Sequence, residues 1–127
     1  ACDTATDYAI FKGLSANAEL IITAPCCHKQ IRQQLKGSEQ SNPILKYGIF
    51  KERQYEMVTD TMRALLLEQN GYHASIFEFV SNEHTRKNIM LIGSKSHKDK
   101  TEQANAKIKS LKDEFGIEFH YLEKLLK

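Results

Sequence analysis

Apolar and polar residues follow two different periods along this chain. Over residues 49–70 the period is helical. Tyr55, Val58, Met62, Leu65 and Leu66 recur three or four apart and share one face, while Glu52, Glu56, Asp60 and Arg63 fall elsewhere. Gly71 is placed to cap that helix. Residues 100–115 repeat the pattern with Ala104, Ile108, Leu111 and Phe115, and Gly116 stops it. Residues 5–17 carry a partial stripe of Ala9, Ile10 and Leu14, with Thr4 or Thr6 to cap it. Residues 28–36 predict another short helix, and residues 121–126 one or two more turns.

The other period is that of strands. Residues 18–24 form a compact apolar run closed by Pro25, which predicts a strand buried on both faces. Residues 73–80 alternate, with Ala74, Ile76, Glu78 and Val80 on one face and Phe77 and Phe79 on the other. Residues 88–94 contain Ile89-Met90-Leu91-Ile92. The short polar stretch between these two runs suits an antiparallel hairpin with a long tip. Residues 36–43 read as a loop inside a domain rather than a boundary, because both flanks are apolar and periodic. A right-handed crossover from strand 18–24 through helix 49–70 to strand 73–80 makes a parallel pair, with the last strand antiparallel. The fold class is therefore α/β, one domain over residues 1–127, with no internal repeat.

Composition changes this picture little. The chain is 41% hydrophobic and 27% charged, as soluble globular proteins are. A net charge of +2 is too small to argue for nucleic acid or an acidic membrane on field alone. No apolar run approaches the ~20 residues of a membrane span, and no signal peptide pattern is visible. The first residue is Ala1 rather than Met, which reads as a cut inside a longer protein or as a processed terminus. Cys2, Cys26 and Cys27 are odd in number and include an adjacent pair, a poor disulfide framework. A reducing, cytoplasmic setting is expected.

Four segments in order carry a family resemblance. They are Ala1-Cys2-Asp3-Thr4-Ala5-Thr6-Asp7, Ala24-Pro25-Cys26-Cys27, Glu52-Arg53-Gln54, and Glu78-Phe79-Val80-Ser81-Asn82-Glu83-His84-Thr85. Together they resemble a methyltransferase-domain family of S-adenosylmethionine-dependent enzymes, over about residues 1–96. The resemblance implies the C-terminal half of a Rossmann-like sheet. The first segment would follow strand four, and Pro-Cys-Cys would end strand five. The last two strands would be strand six, parallel to five, and the antiparallel strand seven inserted beside five. It also implies S-adenosylmethionine as cofactor in the intact protein. The glycine-rich turn and the acidic strand end that normally grip it are absent, since none of the six glycines makes a G-x-G. This chain alone is expected to be inactive and to bind the cofactor weakly.

In open α/β sheets ligands bind beyond the carboxyl ends of the parallel strands. Topology should bring three segments there: Asp3 and Thr4; Pro25, Cys26, Cys27 and His28; and Glu83, His84 and Thr85. Methyl transfer needs an aligned acceptor and sometimes a base. Asp3, Cys27 and His84 are the catalytic candidates, with Asp3 or His84 as base. Thr4, Pro25, Cys26, His28, Arg53, Glu83 and Thr85 are the substrate-binding candidates.

Each has a plainer reading. Asp3 can cap a helix, Cys26 and Cys27 can be small buried residues, His84 can sit in solvent, and Arg53 can pair along its helix. A zinc site on Cys2, Cys26, Cys27 and His28 is disfavoured, because adjacent cysteines chelate one ion poorly, and no metal is expected. The methyl acceptor stays open among RNA, protein and small molecule. The other functional class is a non-catalytic α/β interaction module. An apolar sheet edge left open would in either case favour a homo-oligomer.

Overall fold

The computed structural model describes residues 4–25, 31, 33–34, 43–79 and 89–127. Helix α1 spans Ala5–Ser15 and strand β1 Leu20–Thr23. A 3-10 turn at Pro43–Lys46 leads into the long helix α2, Gly48–Gln69. Strands β2 (Tyr72–Glu78) and β3 (Ile89–Lys95) follow, then helices α3 (Thr101–Phe115) and α4 (Tyr121–Leu126).

The helix ends obey local chemistry. Gly71, just past α2, has φ +88°, and Gly116, just past α3, has φ +68°. Both are left-handed positions that a side chain resists, which is why glycine stands at each stop. Asn17 takes a similar φ of 55° in the turn into β1. Thr4 is the residue before α1, but its hydroxyl makes no capping bond; Tyr8 N–H donates to its carbonyl instead, at 3.0 Å.

The three strands form one mixed-order antiparallel sheet, β1-β3-β2. Leu20 to Thr23 face Ser94 to Leu91, and Tyr72 to Glu78 face Lys95 to Ile89. The expected hairpin is therefore present, and β3 pairs on its other side with β1. No parallel ladder occurs among the described residues. The two strands joined by the α2 crossover run the same way only because each is antiparallel to β3, which separates them.

Directly paired residues share a face. Ile21, Gly93 and Ala74 lie on one face with Thr23, Leu91 and Ile76. A Cβ on Gly93 would sit 3.1 Å from Leu67 of α2, and one on Gly13 of α1 would sit 2.9 Å from Ile21. Both helices thus pack on this one face, close enough that only glycine fits between. Ile10, Met62, Leu65, Leu66, Leu67, Tyr72, Leu91, Ile108 and Leu122 make the main core there. The opposite face carries Leu20, Ile22, Ile92, Met90 and Phe77. Leu20 is 54% and Ile22 53% exposed. The expectation that strand 18–24 is buried on both faces is therefore corrected: α1 and α2 cover the same side of it.

The stripe expected on α2 is buried as read, with Tyr55, Val58, Met62, Leu65 and Leu66 inside. Arg63 and Asp60, expected off that stripe, are buried too, because α1 brings them a partner.

Candidate functional site

The turn from α1 into β1 is tight, so α1 runs back along β1 and its first residue lies at the strand's carboxyl end. Helix α2 ends beside the start of β2, so its first turn lies at that same end of the sheet. At 22 residues it is about 33 Å long, against about 23 Å for the seven residues of β2. Its first turns therefore project past the sheet edge by roughly 10 Å.

Of the candidate residues, Thr4, Pro25 and Arg53 are described, and all three stand at this end. Pro25 is buried, Thr4 is half-buried and Arg53 is exposed. Asp3, Cys26, Cys27, His28, Glu83, His84 and Thr85 lie outside the described residues. Among the described residues, no group of His, Cys, Asp or Glu is arranged to hold a metal. No described helix is long and apolar enough to cross a membrane.

The first half of α2 and the turn before it carry a second apolar surface. Ile44, Tyr47, Ile49, Phe50 and Met57 are exposed around Arg53, and the rings of Tyr47 and Phe50 meet edge to face at 5.8 Å. None of them is among the buried core residues. An exposed apolar cluster beside a cation is a surface suited to a partner or substrate.

Behind this edge lies a buried polar cluster that the periodicity of the sequence does not announce. Arg63 of α2 is 1% exposed. Its Nε donates to Asp7 Oδ1 at 2.6 Å, its Nη2 to Asp7 Oδ2 at 3.3 Å and its Nη1 to Asp60 Oδ1 at 3.0 Å. Burial would weaken the guanidinium's hold on its proton, but the two carboxylates outweigh burial and raise its pKa further. Two charges of one sign and one of the other share this site, and bidentate geometry to Asp7 ties α1 to α2.

His120 closes the cluster. Its Nδ1 accepts from Leu122 N–H at 3.1 Å, and its own N–H donates to Glu123 Oε1 at 2.9 Å, so the pair boxes the start of α4. The proton of the neutral ring is thus on Nε2. That atom is buried and makes no hydrogen bond; Asp7 Oδ1 stands 3.9 Å away, and the Thr59 backbone faces the ring without reaching bonding geometry. Burial lowers the His120 pKa to about 4, with Arg63 pushing the same way and Asp7 and Glu123 opposing. At neutral pH His120 and Asp7 are therefore not an ion pair. The spacing His120-x-x-Glu123 is the one trace of this site in the sequence, being that of a capping box.

Of the described glycines, Gly13 and Gly93 are filled by the side chains of Ile21 and Leu67 and Gly71 and Gly116 serve helix ends, while a Cβ on Gly48 at the start of α2 would meet nothing within 4 Å.

Residues 1–34 match the model of a methyltransferase-domain family, which supports a methyltransferase-related function. No curated protein and no solved structure matches the chain.

Proposed function

We propose that this chain is the acceptor-side, C-terminal part of an S-adenosylmethionine-dependent methyltransferase domain. The observation that carries the reading is an agreement. The segment matched to the methyltransferase family runs through β1 and Pro25, and β1-β3-β2 is the order that the resemblance implies for strands five, seven and six of a Rossmann-like sheet. Thr4, Pro25 and the start of α2 stand at one edge, where such sheets take substrates.

In this reading Asp3 or His84 takes the acceptor's proton, and Pro25, Cys26 and Cys27 shape the pocket that aligns it. Thr4, His28, Arg53, Glu83 and Thr85 contact the acceptor. The apolar cluster around Arg53 gives it a landing surface. The cofactor is held by residues other than those described, and it supplies the methyl group when bound. The odd, adjacent cysteines favour a reducing cytoplasm.

The test uses the full-length protein and a radiolabelled methyl donor. Alanine at the true base lowers the rate by roughly 100-fold, and at the pocket residues by less. Unchanged rates for Asp3→Ala, Cys27→Ala and His84→Ala together would sink the assignment. Calorimetric titration of the 127-residue chain with S-adenosylmethionine should show no binding. Micromolar binding would overturn the acceptor-side reading. By itself the chain should also self-associate across the exposed sheet face and the edge of β1 that no described strand pairs. Light scattering that shows a monomer across micromolar concentrations would refute this.

A further inference from the structure

Strand β2 is an outer strand of the described sheet, because β3 lies between it and β1. Its residues Tyr72–Glu78 pair with β3 in one unbroken register, without a bulge. On the side away from β3 it meets no described strand, and no turn or loop hydrogen bond among the described residues ends on its backbone. A long, regular edge of this kind is a template for another strand, and proteins blunt it with lysine, proline, a bulge or a short length. β2 carries none of these, and its one acidic or basic residue apart from His73 is Glu78, the last. Ile76 and Phe77 point to opposite faces of the sheet, yet they are 43% and 44% exposed. The outer part of β2 is therefore apolar and exposed on both faces as well as along its edge.

The strand's own sequence identifies what fits against it. Tyr72-His73-Ala74-Ser75-Ile76-Phe77-Glu78 has Ser75 at its midpoint. Laid against a reversed copy about that point, every residue of β2 finds an opposite. Ala74 meets Ile76 twice on the helix-covered face, a small side chain against a large one. His73 meets Phe77 twice on the other face, and Ser75 meets itself. No like charges are opposed, which is what an antiparallel pair needs. Glu78 comes opposite Tyr72 of the other copy, in line with Lys95, the β3 partner of Tyr72. Two strand spacings, about 10 Å, then separate the Glu78 and Lys95 backbones, a gap that these long side chains span. The twofold makes that charge match twice. Moving the axis by one residue leaves residues at one end of each strand unpaired and loses the alignment. We infer that β2 is a dimer seam, in which two copies of this chain join their β2 strands antiparallel about a twofold axis at Ser75, doubling the sheet to β1-β3-β2-β2-β3-β1. The seam goes beyond the acceptor-side reading. That reading continues the sheet from the β1 side, and β2 stays outermost whether it does or not.

An introduced cysteine measures the register. In the Ser75→Cys chain the twofold sets the two β-carbons about 5 Å apart, close enough to bridge with a small shift. In the His73→Cys chain the two thiols are offset along the seam by about 13 Å, which no disulfide spans. His73, Ser75 and Phe77 are all exposed, so changing them leaves the core intact. The chains are oxidised in air, and peptide mass spectrometry separates the bridges of interest from any to Cys2, Cys26 or Cys27. Ser75→Cys should form its symmetric bridge about tenfold or more faster than His73→Cys, through higher effective concentration. An equal mixture of His73→Cys and Phe77→Cys chains should bridge position 73 of one to position 77 of the other. Ile76→Lys, added to Ser75→Cys, puts a charge at the seam on the helix-covered face and should slow the symmetric bridge by about tenfold or more. Ile22→Lys alters the exposed face at β1 and should leave that rate unchanged. The seam is overturned if Ser75→Cys and His73→Cys bridge equally fast, if the mixture gives no bridge between positions 73 and 77, or if Ile76→Lys has no effect. It is also overturned if Ile22→Lys slows the bridge as much, which would assign the contact to the sheet face. None of these outcomes depends on whether the protein transfers methyl groups.

Discussion

Acidification should unpick the C-terminal end of this protein through one imidazole. His120 is 1% exposed, and its pKa falls from 6.5 to about 4, chiefly because burial disfavours the charged ring. The sign follows from proton counting. Between those two values the unfolded chain binds a proton that the folded chain refuses, so stability rises with pH there. The contribution is fully present above about pH 6.5, falls as the pH drops, and levels off below about pH 4. At about 1.4 kcal/mol for each pH unit, the total is about 3 kcal/mol. The chemistry agrees with the number. Protonating Nδ1 destroys the acceptor for Leu122 N–H and places a cation beside Arg63.

The assay is urea unfolding, followed by circular dichroism, of wild type and His120→Asn from neutral pH down to about pH 4. The asparagine keeps the cap but does not titrate, so other carboxylates cancel in the difference. The wild type should lose about 3 kcal/mol more than the variant over this range. Parallel curves would refute the reasoning. A wild type that gains on the variant in acid would show His120 and Asp7 closing from 3.9 Å into an ion pair.

Three further outcomes are expected. Arg63→Met takes the buried guanidinium away from Asp7 and Asp60 and should cost about 3–5 kcal/mol in denaturant titration; a loss under about 1 kcal/mol would mean the cluster is hydrated. Gly93→Ala sets a methyl 3.1 Å from Leu67, which is fully buried and has little room to yield. A loss of about 1–2 kcal/mol is expected, and a neutral result would show that α2 lifts freely off the sheet. Met57→Lys should change stability by less than about 0.5 kcal/mol, because the side chain lies outside the core. The same change in the full-length protein should raise the acceptor KM more than it lowers kcat, and an unaltered KM would remove the α2 surface from the acceptor's path.

Those features of the fold that one short stretch of sequence determines were legible in it. The α2 stripe of Tyr55, Val58 and Met62 needs only a helical period and an inside, and Gly116 needs only a helix that must stop. The β2–β3 hairpin was legible for the same reason, since its partners are neighbours in sequence. What escaped depends on residues that meet across the chain. Periodicity put Arg63 outside because its burial is made possible by Asp7, 56 positions earlier. The run Leu20-Ile21-Ile22 looked buried on both faces, yet apolarity states only that cover is wanted, not which side α1 and α2 supply it. At the candidate site, most of the residues that chain order was expected to bring together, from Asp3 through Cys27 to His84, lie outside the described residues. The contact of Gln34 with the Phe119 backbone was not legible, because glutamine is an ordinary polar residue until that backbone lies beside it.

The central place of β3 also sets a timetable. Leu20–Thr23 pair with residues about 70 positions later in the chain. At 5–20 residues per second, a ribosome takes about 4–14 s to deliver them. Throughout that interval β1 has been made, carries Leu20, Ile21 and Ile22, and has no described strand to join. A chaperone that shields extended apolar segments during this interval should therefore raise the folding yield of the chain.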